Sequence, residues 1–292
     1  MQKLVPEKDL LPCKFTLVVG LKFAGEIFKS KPYNMNVLSK LLTLLTLGGL
    51  LMNCAETSSK KQPQKPWQIL FDGTSTKGWR GYNSETLPPG WSIQDNTLTF
   101  MTERVKEEDY DYKGSKDIIY GAEEFDNFEL YLEWKIPEGG NSGIFYHVQE
   151  GFPGIPEVAA EYQLIDDANY TSFNDITDYN LSVGNTNNPS ELQPSQKTGS
   201  DYAMYAAPEN KIYHPVGEWN SSRIVYTSEE VTYYLNGEET ISFVPRSEDW
   251  KQRRANSKWK DYPNYARFKK GYIGFQDHGS GLAFRNIKIK KR

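Results

Sequence analysis

Asn236-Gly237 stands between two runs of alternating apolar and polar residues, Val231 to Leu235 and Glu238 to Val244. Asn-Gly supplies the two positive φ angles of a type I′ turn, and the twist of that turn matches the twist of paired strands. The segment therefore predicts a β-hairpin. Its period of two recurs along the chain. Phe128, Leu130, Leu132, Trp134 and Ile136 alternate with Glu129, Tyr131, Glu133 and Lys135, the pattern of a half-buried strand.

Trp67 to Phe71, Trp91 to Ile93, Thr97 to Met101, Arg223 to Thr227, Gly271 to Gln276 and Leu282 to Lys290 read the same way, separated by turn signals such as Asp72-Gly73 and Pro88-Pro89-Gly90. Asp249 to Lys260 predicts one short helix. Many short strands and few helices predict an all-β fold of two stacked antiparallel sheets, a sandwich or jelly roll. Two connections are long. Glu103 to Lys116 is mostly charged and reads as a solvated acidic loop, since it lacks the ligand spacing of a calcium loop. Asn169 to Ser200 is polar, and connections of that length are functional or mobile.

Leu41 to Met52 is apolar but too short to span a bilayer. Lys40 precedes it and Cys54 follows it, the layout of a bacterial lipoprotein signal. On this reading residues 1–34 are an extension of doubtful role, 35–53 the signal peptide and 54–66 a polar tether. Residues 67–292 are the folded domain. The thiol of Cys54 carries the lipid, which places the protein in the cell envelope, touching membrane through that anchor alone. An ordinary signal peptide with an incidental cysteine is the competing reading.

Residues 1–53 hold 7 of the 34 basic and 3 of the 38 acidic side chains, so 27 and 35 remain, a balance of −8. An acidic domain without basic clusters argues against nucleic acid as a partner. The two cysteines, Cys13 and Cys54, lie outside the domain, so it has neither a disulfide nor a thiolate metal site.

Glu133 to Asp167 concentrates polar side chains on expected strands. Asn141, Ser142 and His147 share one, and Glu161, Gln163 and Asp166 the next. Strand interiors hold so many such groups when one sheet face is a working polar surface. Glu161 and Gln163 share a parity, and Leu164 marks the other face as buried, so the first two point to a cleft. His147 has the parity of Phe145 and Gln149. His278 follows Gln276-Asp277 at a strand end, and His214 reads as structural. Any of these histidines could exchange protons near neutral pH. Histidine or cysteine pairs at metal-ligand spacing, a nucleophile elbow, a P-loop and a dinucleotide fingerprint are absent. Tryptophans serve sugar clefts or cores, and Trp134 and Trp219 are expected in the core.

An ordered set of segments carries a resemblance. It begins with Phe71-Asp-Gly-Thr, Gly78-Trp79 and Trp91-Ser-Ile, followed by Phe125-Asp-Asn-Phe-Glu-Leu and Glu133-Trp-Lys-Ile-Pro. It continues with Gly140-Asn-Ser-Gly-Ile-Phe-Tyr-His, Glu161-Tyr-Gln-Leu-Ile-Asp-Asp, Gly199-Ser-Asp-Tyr and Gly217-Glu-Trp-Asn. Leu235-Asn-Gly, Gln276-Asp-His-Gly and Phe284-Arg-Asn-Ile-Lys-Ile complete it. From Trp67 to Lys290 the chain resembles the 3-keto-disaccharide hydrolase family. The resemblance implies a concanavalin A-like jelly roll, a carbohydrate substrate and cleavage of 3-keto-glycosides. It implies no cofactor, with a divalent metal left open.

A C3 ketone acidifies the C2 proton. A base that removes it lets the C1 aglycone leave by β-elimination, with net hydrolysis once water re-adds. Such a site needs a base, donors to the enolate oxygen and an acid for the leaving group. Side-chain chemistry at the motif positions offers Glu161 or His147 as base, and His278 or the other member of that pair as acid. Asn141, Gln163 and Gln276 orient the sugar beside Asp277, and Tyr205 and Trp250 wall it. Two alternatives are a two-carboxylate glycoside hydrolase using Glu161 with Asp166 or Asp277, and a glycan-binding module without catalysis.

Overall fold

The structure, a computed structural model, describes residues 65–100 and 117–292, which belong to one compact unit, Gln62–Arg292. The expected extension and signal peptide, Cys54, most of the expected tether and the Glu103 to Lys116 segment lie outside the described residues. The described strands are β1 (Gln68–Phe71), β2 (Trp79–Gly81), β3 (Trp91–Gln94), β4 (Thr97–Phe100), β5 (Ile118–Tyr120), β6 (Phe128–Lys135) and β7 (Asn141–Val148). They continue with β8 (Ala160–Ile165), β9 (Asn220–Tyr226), β10 (Val231–Leu235), β11 (Glu238–Phe243), β12 (Tyr272–Phe275) and β13 (Ala283–Lys291). One antiparallel sheet runs β11-β10-β9-β6-β13-β4-β3, with β1 also on β13; the other runs β2-β5-β12-β7-β8. The fold is an all-β, concanavalin A-like jelly-roll sandwich.

The alternation in β6 explains the stacking. Phe128, Leu130, Leu132 and Trp134 are fully buried. They meet Ile144 and Tyr146 of β7, Tyr162 and Leu164 of β8 and Phe275 of β12 in one core between the sheets. Buried polar tips find partners, as they must. Trp134 Nε1 donates to Ser222 Oγ at 2.9 Å, and Tyr233 Oη donates across the core to Tyr146 Oη at 2.8 Å. The β10–β11 hairpin turns through Asn236 and Gly237, both at positive φ as a type I′ turn requires.

Helices are short and sit in connections. Between β8 and β9 lie α1 (Tyr170–Phe173) and α2 (Thr177–Ser182); between β11 and β12 lie α3 (Glu248–Ala255) and a 3₁₀ turn, Lys258–Asp261. Ser247 caps α3 by accepting from Trp250 N, acids occupy its first turn and arginines its last. The expected single helix over Asp249 to Lys260 thus ends at Ala255, and Ser257 caps the separate 3₁₀ turn. No described helix is long and apolar enough to cross a membrane.

Candidate functional site

Strand pairing builds the site on the outer face of β8. Ala160, Tyr162 and Leu164 enter the core, so Glu161, Gln163 and Ile165 face away from it. Beside them on β7, Gly143 pairs with Gln163 and Phe145 with Glu161. Gly143 is there for space: a Cβ at that position would collide with the Glu161 carboxylate. From the end of β12, Gln276 N donates to Gly143 O at 3.0 Å, bringing Gln276-Asp277-His278 alongside. A cavity of about 310 Å³ results, lined by Asn141, Glu161, Gln163, Gln276 and His278 among others. The structure therefore gathers five of the expected site residues, drawn from β7, β8 and the turn after β12.

Glu161 is 4 % exposed. Burial pushes its carboxyl pKa up to about 8; Lys258 opposes this, and Asp117 and Asp201 add to it. His278 stands at the rim with one side open to solvent. The protein wall behind it disfavours the imidazolium and lowers its pKa, helped by Lys258. Two cavity residues present buried carbonyl oxygens without a partner, Asn141 Oδ1 and Gln276 Oε1. Unpaired acceptors at a concave wall match the hydroxyl donors of a sugar.

Four expected site residues sit elsewhere. His147 lies outside the cavity because β7 carries a one-residue bulge. Phe145 pairs with Gly274 but Val148 with Tyr272, so two residues of β7, Tyr146 and His147, oppose one of β12, Ile273. His147 takes φ 55° there, and the extra residue reverses its parity. It turns into the core against Phe128 and Tyr226, with Nε2 hydrogen-bonded to Asp126 O at 2.8 Å. Burial lowers its pKa to about 4. Tyr205 stacks on Phe243 and donates to Asp249 at 2.8 Å, joining its loop to α3. Trp250 is buried and lies parallel to Tyr265. Neither walls the cavity. Asp277 does not line it either; its Oδ1 accepts from Gly279 N and shapes the turn that carries His278. Trp219, expected in the core, instead sits half-buried between Lys135 and Arg285, whereas Trp134 is fully buried. His214 holds Trp219 O through Nδ1 at 2.8 Å, the structural role expected of it.

The sequence reading missed the opposite wall. Tyr170, Ile176, Tyr179 and Leu192 come from the long polar connection after β8, Tyr202 from the loop beyond it and Lys258 from the 3₁₀ turn after α3. No period marks such residues. The available signal was the length of the connections themselves. Among the described residues no three His, Cys, Asp or Glu side chains converge as a metal-binding group.

Comparison with known proteins gives the family. Residues 66–290 match the family described as a 3-keto-alpha-glucoside-1,2-lyase-like domain. A 3-keto-disaccharide hydrolase of Bacteroides thetaiotaomicron is 32% identical over 242 residues, covering 76% of this chain and 77% of that one. A crystal structure from Parabacteroides distasonis, assigned as a glycosyl hydrolase, is 39% identical with a TM-score of 0.65, covering 77% of this chain and 94% of that one. A second from the same organism, assigned likewise, is 26% identical with a TM-score of 0.54 and coverages of 78% and 100%. The chain belongs to the 3-keto-alpha-glucoside-1,2-lyase-like family.

Proposed function

We propose that this protein is a hydrolase of glycosidic bonds whose cavity cleaves 3-keto-glycosides by C2 proton abstraction and β-elimination of the C1 aglycone. The observation that carries the mechanism is that Glu161 is the one carboxylate among the described residues lining the cavity. Hydrolysis through an oxocarbenium ion ordinarily uses two flanking carboxylates. Asp166 accepts instead from Gly139 N and Asn169 Nδ2, both at 2.9 Å, and Asp277 serves the His278 turn. One buried carboxylate with a pKa of about 8 suits proton abstraction near neutral pH.

In this reading the C2–H bond breaks, its proton goes to Glu161, and its electrons form the enolate of the C3 ketone. The enolate collapses back to the ketone, a C1–C2 double bond forms, and the glycosidic oxygen departs with its electron pair; water added across that double bond then completes the net hydrolysis. Protonated Glu161 and the rim imidazole of His278 are the groups that can return a proton to that oxygen. Asn141, Gln163 and Gln276 hold the sugar hydroxyls. Family membership and the relative from Bacteroides thetaiotaomicron support the keto substrate.

The test is an assay on a 3-keto-glucoside and on its unoxidised parent. Cleavage of the keto sugar alone supports elimination. Cleavage of both supports a two-carboxylate mechanism, and binding without turnover supports a glycan-binding module. For cellular placement we propose the envelope, through lipid on Cys54. Labelled fatty acid incorporated by the wild type but not by Cys54→Ser supports this; equal labelling of both, or of neither, overturns it.

A further inference from the structure

The wall opposite Glu161 carries groups with no part in the mechanism above. Lys258 is the sole Lys or Arg among the described residues lining the cavity. No described carboxylate forms an ion pair with it. Its ammonium instead lies 4.4 Å from the ring centre of Trp259 and 4.7 Å from that of Tyr202. It donates to Tyr179 Oη at 3.0 Å, and Tyr179 Oη lies 2.8 Å from Tyr202 Oη. The assembly is braced from behind: Trp259 Nε1 donates to Tyr202 O at 2.9 Å, and the Trp259 ring stacks on Tyr265 at 4.1 Å. A partly buried ammonium over aromatic faces is held there by cation–π attraction.

Counting protons shows what this chain offers. Two hydroxyls carry two protons, and their mutual hydrogen bond uses one. Lys258 donates into the pair and uses none of theirs. One hydroxyl proton is left over, polarised by the ammonium behind it, in residues that line the cavity. Proton abstraction by Glu161 creates a matching demand. As the C2 proton moves to the carboxylate, its negative charge moves to the C3 oxygen of the substrate. A donor aimed at charge that develops only in the transition state accelerates the step.

We propose that the Lys258–Tyr179–Tyr202 chain is the oxyanion site of this reaction. A tyrosine hydroxyl donates to the C3 oxygen as it becomes an enolate, and Lys258 acts through that hydroxyl as a positioning residue. The inference rests on Glu161 as the C2 base. Burial raises the Tyr202 pKa well above that of free tyrosine, so the hydroxyl donates a hydrogen bond while keeping its proton.

The experiment compares wild type, Lys258→Met, Lys258→Arg, Tyr179→Phe, Tyr202→Phe and Glu161→Gln on a 3-keto-glucoside, with folding checked by thermal melts. Loss of an oxyanion donor costs on the order of 10²–10³ in kcat. Lys258→Met and both Phe variants should lose kcat on that scale with KM changed less than about threefold, and Lys258→Arg should recover most of it. The pH profile adds a readout that a merely structural role leaves still. The charged and titratable groups around Glu161 include Lys258, Asp117, Asp201, Tyr202 and Tyr265, with His278, Tyr170 and Tyr179 in the same cavity. Removing Lys258, which lowers the Glu161 pKa, should move the alkaline rise of kcat/KM to higher pH. Wild-type kcat in Lys258→Met and both Phe variants, with Glu161→Gln inactive, overturns this inference alone. Losses confined to KM do the same. Wild-type turnover in Glu161→Gln overturns the base assignment and the inference with it.

Discussion

Glu161 and His147 are both buried titratable residues on adjacent strands, and their surroundings assign them opposite roles. A buried carboxylate left without an ion-pair partner costs several kcal/mol when ionised. The folded-state pKa of Glu161, about 8, lies above its ordinary 4.5. The folded protein therefore holds a proton there that the unfolded chain releases, and this residue's contribution to stability falls as pH rises from 4.5 to 8. Glu161→Gln should abolish turnover and also raise the melting temperature, more at pH 9 than at pH 5. The gain is about 1–3 kcal/mol, roughly 2–4 °C per kcal/mol for a domain of this size. An equal or lower melting temperature at pH 9 would contradict the burial account. His147 has the reverse sign. Its pKa is lowered to about 4, so its contribution is complete above pH 6.5 and is lost as pH falls toward 4. His147→Ala should destabilise by about 2–4 kcal/mol and leave the pH–rate profile of the folded fraction unmoved. A shifted profile would return His147 to the chemistry.

Single elements decide what was legible in the sequence. β8 is regular from Ala160 to Ile165, so strand parity correctly sent Glu161 and Gln163 to one face and Leu164 to the other. β7 is not, and counting by twos fails at His147 because one inserted residue reverses every face beyond it. Alternation has no signal for where a bulge falls. The three-residue strands β2 and β5 were too short to show a period. Lys258 and Tyr179, and the role of Tyr202 within Gly199-Ser-Asp-Tyr, were hidden for another reason: these residues reach the cavity from connections whose path is set by tertiary contacts, such as Trp259 Nε1 on Tyr202 O. The β7–β8 pair also yields a prediction. Gly143→Ala places a methyl group where the Glu161 carboxylate lies. A displacement of about 1 Å in a catalytic group can cost 10²-fold, so kcat should fall at least about tenfold while the fold survives. Wild-type kcat in a folded Gly143→Ala protein would show that the carboxylate does not need that space.

At the scale of the whole molecule, alternation and turn chemistry made the two-sheet sandwich legible, but strand order was not. That β13, the last strand, lies between β6 and β4 follows from long-range pairing that no local pattern encodes. The pairing is fastened at its end by charge. Glu129 on β6 meets Lys290 and Arg292 at 2.8 Å and Arg223 of β9 at 3.4 Å. Burial alone would raise its pKa; the hydrogen bonds from Lys290 and Arg292 override that and bring it to about 2. This stability is present above pH 4.5 and lost as pH falls toward 2. Glu129→Gln should cost about 1–3 kcal/mol at neutral pH, and denaturant melts should show the difference shrinking below pH 4. A difference independent of pH would mean that packing, not charge, holds the strand.

Among the described residues the sandwich presents one carboxylate to a sugar-sized cavity, and the account turns on what that carboxylate removes. Deuterium exchange at C2 of a 3-keto-glucoside in D₂O reads that step without waiting for the aglycone to leave. The wild type should exchange C2 and then release the aglycone, while folded Glu161→Gln should do neither; exchange at the wild-type rate in Glu161→Gln, or aglycone release from the unoxidised glucoside, would contradict it.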